Sequence, residues 1–502
     1  MPAGPPLAFA SIAELATLIA NRQLSAAELL ANFVRRIDQL DGKLRCYVTL
    51  TVSDAAAQAR RADRSLARGE EAGALRGIPV ALKDNLDVAG VATTANSRSR
   101  QHMIAIRDSW VAYRLKASGA VLLGKLNLHE MAMGPPEADL MFQPPPNPWH
   151  PRHTVGGSSS GSAVAILGGL CAGSFGSDTG GSIRTPAAFV GVCGFKPSFG
   201  LVPARGLVPL APTLDHVGPL ARSVADLAIL LSSVVRSDRR DIRTGQPIAR
   251  AAAAVPQRDA RRDAPRLKLG IPRQLRNGRL PGLEPEVSQA FDSAVRTLVR
   301  LGHVERIVDL PDLPTLDAAL TCIMTVEAIA AHGDLLQRSP SSFGRGFRKA
   351  VAPGYLFTAL DKLRADEVRG RLRANLREAW RSVDIILTPT LPWVAPHVGS
   401  RSVPPRGPFT GLANLAGNPS LTVPCGLGEE NLPVGLMLSG RVSDDVTVLA
   451  IGDEYQSVTS WHTRSPFIAS QPRSDELPEV RVEGVAHPVS EQIERQDDRG
   501  NR

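Results

Sequence analysis

The sequence lacks a basic leader ahead of an apolar stretch; it opens Met1-Pro-Ala-Gly-Pro-Pro6 and shows no run of about 18 uncharged apolar residues. Neither secretion nor a membrane span is expected. Cysteine is scarce: Cys46, Cys171, Cys193, Cys322 and Cys425 are odd in number, scattered, and never spaced as close metal ligands. That usage fits a reducing cytoplasm better than a disulfide framework. Aromatic residues for base stacking are missing from the most basic segment, Arg236, Arg239, Arg240, Arg243, Arg250, Arg258, Arg261, Arg262 and Arg266. Despite a net charge of +9, the segment therefore reads as a solvated linker and not as a nucleic-acid patch. No internal repeat is visible. His150 and His153 flank Pro151 and Arg152 in a Pro-rich loop without partners at metal-ligand spacing, so a structural or surface role is expected and no metal or cofactor.

With 502 residues, 43% of them hydrophobic, the chain can bury a large core. Two capping boxes, Ser11-x-x-Glu14 and Ser25-x-x-Glu28, start helices; after the second, Leu29, Leu30, Phe33, Val34, Ile37 and Leu40 recur at helical spacing. An Ala-rich helix is predicted from about Ala55 to Arg68. Gly77-Ile-Pro-Val-Ala-Leu-Lys83 is a short apolar run between turn formers, as in a buried strand. Further on, a helix with a glycine stop (Ser109 to Gly119) precedes a strand at Val121-Leu122-Leu123, and the alternation resumes after the linker with strands at Arg266–Pro272, Val383–Pro389 and Pro433–Leu438. This pattern predicts an α/β fold with helices on the faces of a sheet. From about Ser470 the chain is polar and charged, which predicts a disordered tail.

Chemistry concentrates in three places. A lysine ending an apolar strand is unusual, because burial of an unpaired ammonium is costly and lowers its pKa toward that of a working base. The alternative for Lys83 is pairing with Asp84 or snorkelling to the surface. The segments Gly156-Gly157-Ser158-Ser159-Ser160-Gly161-Ser162 and Asp178-Thr179-Gly180-Gly181-Ser182 have linker-like composition but sit in apolar, structured sequence. A Gly-Gly pair before a serine lets consecutive N–H groups converge on one point, an anion nest for a phosphate or an oxyanion. No lysine follows either glycine cluster as a phosphate-binding loop requires. Gly157-Ser158-Ser159-Ser160-Gly161 formally matches a nucleophile elbow with Ser159 at its centre, but no strand precedes it directly, and His397, His462 and His487 have no distinguishing context.

Taken together, the Lys83 strand, Gly156-Gly157-Ser158-Ser159-Ser160-Gly161-Ser162-Ala163 and Asp178-Thr179-Gly180-Gly181-Ser182-Ile183-Arg184-x-Pro186 resemble the amidase signature family. Val121–Asn127, Gly194–Pro197, Leu214–Pro219, Thr388-Pro389-Thr390 and Asn414-Leu-Ala-Gly look like further landmarks of it. The resemblance implies a single large α/β/α domain with a mixed, mostly parallel central sheet over about 1–469: N-terminal helices at about 8–70, a catalytic core at about 75–235, the basic linker at about 236–266, and the tail at 470–502. It implies an amidase that hydrolyses a carboxylic amide through an acyl-enzyme, with Ser182 as nucleophile, Ser158 as bridging cis-serine and Lys83 as base. It also implies an oxyanion hole of the Thr179, Gly180, Gly181 and Ser182 N–H groups, and no cofactor. Arg184 is expected to brace the turn.

Within that family the glutaminase (A) subunit of a tRNA-dependent amidotransferase is the main alternative. The glutamine-recognising aspartate expected some seven residues before Asn414-Leu-Ala-Gly is replaced by Gly407, and Pro135-Pro136-Glu137 replaces small Ser/Thr residues. A stand-alone amidase is therefore expected, acting on a small or aromatic amide, with at most a second copy as partner. Neither a membrane nor a nucleic acid is an expected partner unless the amidotransferase alternative holds. A scaffold without activity is disfavoured while all three triad positions match.

Overall fold

A computed structural model describes residues 6–70, 73–236, 238, 241, 266–278, 280–400 and 407–467. The interior of the arginine-rich segment, except Asp238 and Asp241, lies outside the described residues, as does the tail expected from Ser470.

Among the described residues, eleven strands form one sheet: β1 (Tyr47–Leu50), β2 (Pro79–Lys83), β3 (Val121–Leu126), β4 (Gly173–Asp178), β5 (Cys193–Lys196), β6 (His216–Ala221), β7 (Lys268–Pro272), β8 (Val304–Val308), β9 (Ile385–Pro389), β10 (Ser420–Leu427) and β11 (Pro433–Ser439). Their order is β1-β3-β2-β4-β6-β5-β10-β11-β9-β7-β8. Strands from both sides of the arginine-rich segment thus share one sheet. It is mixed, as expected. Parallel pairing is confined to β3-β2-β4 and β9-β7-β8, and the pairs between these flanks are antiparallel.

The N-terminal helices follow their sequence signals. Both capping boxes are formed, on helices Ile12–Ala20 and Ala26–Leu44. Leu29, Leu30, Phe33 and Ile37 of the second helix are buried, and Val34 and Leu40 pack against the core at its margin. The Ala-rich helix runs Val52–Ala67 and buries Ala55, Ala59 and Ala62, whose small side chains let it lie close to the sheet. One apolar core covers the sheet faces, and a second gathers around helix Leu313–Arg338. That helix is long and apolar enough by length and composition to cross a membrane. Half of its most apolar window is buried, with Leu320, Ile323 and Met324 inside the second core.

β4, Gly-Ser-Phe-Gly-Ser-Asp, carries little of the β-branched or aromatic composition that marks strands. Packing requires its small residues. A Cβ on Gly173 would meet Leu230 at 2.6 Å, and one on Gly176 would meet Ser159 Oγ at 2.6 Å, where helix Ser160–Leu167 presses on the sheet. β2 and β4 are parallel neighbours, with Leu82 opposite Phe175, so Lys83 and Asp178 end on the same edge. That edge, at the carboxyl ends of the strands, is where α/β sheets place their ligands.

Candidate active site

Lys83 is fully buried at the end of β2. Its Nζ donates to Ser158 Oγ at 2.7 Å and to Ser177 Oγ at 2.9 Å, with Ser177 O at 3.4 Å. Pairing with Asp84 does not occur: Asp84 forms a fully buried ion pair with Lys125 at 2.8 Å and accepts from Thr94 N–H and Oγ1. Burial lowers the Lys83 pKa to about 7, against the partial opposition of the Asp178 and Asp215 carboxylates. Near neutral pH, Lys83 is therefore divided between ammonium and free amine.

Ser158 follows a cis peptide bond with Gly157 and is 2% exposed. Its carbonyl accepts from His129 N–H at 3.1 Å. The next residue, Ser159, donates its N–H to Ser182 O at 3.1 Å, which ties the two serine segments together. Ser182 is partly exposed, whereas Lys83 and Ser158 are buried. Ser182 is thus open to solvent while the Lys83 amine is kept away from bulk water. Ser159 cannot serve as an elbow nucleophile: it is fully buried, and its hydroxyl donates to Ser177 O at 3.2 Å.

The turn from Asp178 to Ser182 is held from inside. Asp178 accepts from Gly181 N–H at 2.8 Å and Ile183 N–H at 3.1 Å. Arg184 grips the same carboxylate through Nε at 3.0 Å and a terminal nitrogen at 2.9 Å, a bidentate pair, and reaches Thr410 O and Asn414 Oδ1. Burial opposes the charge on Asp178, but Arg184 and Lys196 outweigh it and hold the carboxyl well below the usual range. Arg184 braces the turn, as expected. Thr179 Oγ1 donates to Asp215 at 2.6 Å, and Thr410 Oγ1 donates to Gly180 O at 2.9 Å. Gly181 is required here, since its φ is 126° and a Cβ would meet Thr410 Oγ1 at 2.7 Å.

One expectation is corrected. The Gly181 N–H is committed to Asp178, leaving Thr179, Gly180 and Ser182 as the candidate oxyanion donors.

Three neighbours of the singled-out residues were missed from sequence. Ser177, at the end of β4, accepts from Asn85 Nδ2 at 2.9 Å and contacts the Lys83 amine. Only recognition of β4 as a strand parallel to β2 could have placed it. His129 lies flat enough against Gly157 that a Cβ there would fall 2.3 Å from its ring; burial, with the nearby Lys83 charge, lowers its pKa to about 4, so it is neutral at working pH. Glu430 meets His150 and His153, supplying the partner that local spacing did not. It comes from the distant connection between β10 and β11.

A family model described as Amidase matches residues 28–449. Among curated relatives, the A subunit of the glutamyl-tRNA(Gln) amidotransferase of Thermosynechococcus vestitus is 36% identical over 489 residues, covering 91% of this chain and 99% of that protein. Among solved structures, one described as a vestigial protein complex that reveals the evolutionary origins of an s-triazine catabolic enzyme superposes with a TM-score of 0.82 at 32% identity, covering 89% of this chain and 98% of the other. The peptide amidase of Stenotrophomonas maltophilia superposes with a TM-score of 0.77 at 30% identity, covering 90% and 98%.

Proposed function

The chain belongs to the amidase family and is an amide hydrolase of that family, and from that premise we propose that Ser182 attacks the amide while Ser158 and Lys83 carry the proton. The observation that carries this reading is the buried Lys83 amine, with a pKa of about 7, at 2.7 Å from Ser158 Oγ. The free amine takes the Ser158 proton as Ser158 takes that of Ser182, whose Oγ adds to the carbonyl carbon. The oxygen that becomes negative is met by the N–H groups of Thr179, Gly180 and Ser182. The proton returns through Ser158 to the leaving nitrogen, which departs as ammonia or amine. Water then repeats the sequence on the Ser182 ester.

For the amide itself, the relatives support the amidotransferase reading better than a stand-alone enzyme, the reverse of the expectation formed on Gly407 and Pro135–Glu137. A match over 99% of an amidotransferase glutaminase chain supports glutamine as the amide and a partner chain that uses the ammonia. One structural observation keeps the stand-alone amidase as the second reading. Gly407 caps helix Pro408–Ala416, whose Thr410 touches the catalytic turn, and so offers no side chain where the glutamine-recognising aspartate is expected. Glu137 does not substitute for it, being engaged by Arg345 and Lys349.

Ammonia release by the purified chain, measured on glutamine and a panel of simple aliphatic and aromatic amides, separates the two. The amidotransferase reading expects turnover of glutamine; turnover of simple amides with glutamine untouched would overturn it. A serine-directed fluorophosphonate should label wild type and Ser159→Ala but not Ser182→Ala. Labelling or full activity retained in Ser182→Ala would remove Ser182 from its role.

A further inference from the structure

Outside the relay, the loop that leads into Ser158 meets the turn between β10 and β11. His150 Nε2 and His153 Nε2 lie 3.1 Å and 3.3 Å from the same oxygen, Glu430 Oε2. The three ligand atoms all fall within 4.8 Å of one another. Bonds of about 2.0–2.1 Å to a tetrahedral zinc ion put neighbouring donors about 3.3 Å apart, so the two nitrogen–oxygen separations already match a shared ion.

His153 supplies the second observation. The residue is 6% exposed, and its Nδ1 lies 2.5 Å from Ala395 O. A carbonyl accepts only, so Nδ1 is the donor in that contact and Nε2 is the ring nitrogen left to face Glu430. That Nε2 is buried, makes no hydrogen bond, and is turned toward the Glu430 carboxylate. An imidazole whose far nitrogen donates to a backbone carbonyl while the near one faces a neighbouring ligand atom is the arrangement that orients metal-binding histidines. His397 lies against the His153 ring, with centroids 4.1 Å apart and the planes tilted by 36°.

We propose that His150, His153 and Glu430 bind one divalent transition ion of the zinc class, with water completing its coordination. Two imidazoles and one carboxylate suit such a borderline ion, whereas magnesium and calcium require mainly oxygen ligands. The ion would be structural. It would add to the hydrogen bonds that fasten the approach to Ser158, among them Thr154 N–H to Pro396 O at 2.9 Å, Val398 N–H to Arg152 O at 2.9 Å and Asn147 Nδ2 to Thr154 O at 3.0 Å. No step of amide hydrolysis passes through it. Because the third ligand lies in a distant turn, His-x-x-His spacing alone did not reveal the site.

The test uses the full chain, stripped with a chelator and titrated with Zn(II) alone, with bound metal counted by elemental analysis after gel filtration. Wild type is expected to hold one ion at this site and to gain thermal midpoint on loading. Glu430→Gln, His150→Gln and His153→Gln are each expected to lose that equivalent, weakening binding at least about 100-fold, the upper end of what losing only an outer partner costs. Exposed His102 serves as control, and His102→Gln should bind as wild type does. Glu430 is on the surface, so Glu430→Gln decides the matter even if His153→Gln fails to fold. No retained zinc in wild type, or unchanged stoichiometry and affinity in Glu430→Gln and His150→Gln, would overturn the proposal.

Discussion

Replacing Lys83 by methionine should flatten a pH dependence that wild type displays. In the folded chain the amine, fully buried among Ser158, Ser177 and Asn85, has a pKa of about 7, whereas an exposed lysine in the unfolded chain has one near 10.5. Below pH 7 both states hold the proton, and the folded state bears the whole cost of a buried charge. Between pH 7 and 10.5 the folded state has released the proton and the unfolded state has not, so the unfolded state binds more protons and stability rises with pH. At 1.36 kcal/mol per pH unit, the rise across that window is about 5 kcal/mol. Urea denaturation of wild type and Lys83→Met between pH 6 and pH 10 isolates it, because all other titrating groups cancel in the difference. Wild type should gain on the variant by several kcal/mol between pH 7 and pH 10. In parallel, wild-type kcat/KM should climb about tenfold per pH unit below 7 and level off above it, as the free amine becomes available. Lys83→Met should lose at least about 100-fold in kcat. A wild-type-minus-variant difference constant across the pH range would refute the depressed lysine, and the relay with it.

Three further perturbations probe the surroundings of that amine. Ser177→Ala removes an acceptor that favours the ammonium, so the midpoint of the kcat/KM profile should move to lower pH by about one unit, measured on a chain with unchanged circular dichroism. Arg184→Met leaves the Asp178 carboxylate buried without its partner and should cost about 3–5 kcal/mol in urea denaturation, with activity lost even where the chain stays folded. Gly181→Ala forces a Cβ against Thr410 Oγ1 at a φ of 126°; displacement of the oxyanion turn should lower kcat about 100- to 1,000-fold while KM changes little.

The parts of the fold legible in sequence were those governed by local rules. Ser11 and Ser25 start their helices because the serine hydroxyl accepts the N–H of the glutamate three residues on while that glutamate's carboxylate accepts the N–H of the serine. β2, β3, β7, β9 and β11 were visible as short apolar runs between turn formers. β4 was not, because its glycines are required by close contacts with Leu230 and Ser159, which strand propensity does not encode. The mostly parallel sheet implied by the resemblance proved parallel only on its flanks, since the antiparallel pairing at the centre is a long-range choice that helix–strand alternation does not encode.

At the site, residue types and order were enough to single out Lys83, Ser158 and Ser182, because a lysine ending a buried strand and serines after paired glycines are chemically unusual wherever they occur. The sequence determined which groups are available. Tertiary structure decided their states: Asp84 turns to Lys125 and leaves Lys83 to the serines, burial brings its amine to a pKa of about 7, and Asp178 takes the Gly181 N–H away from the oxyanion. These outcomes depend on distances between segments remote along the chain and on the exclusion of water between them, neither of which exists before the sheet closes.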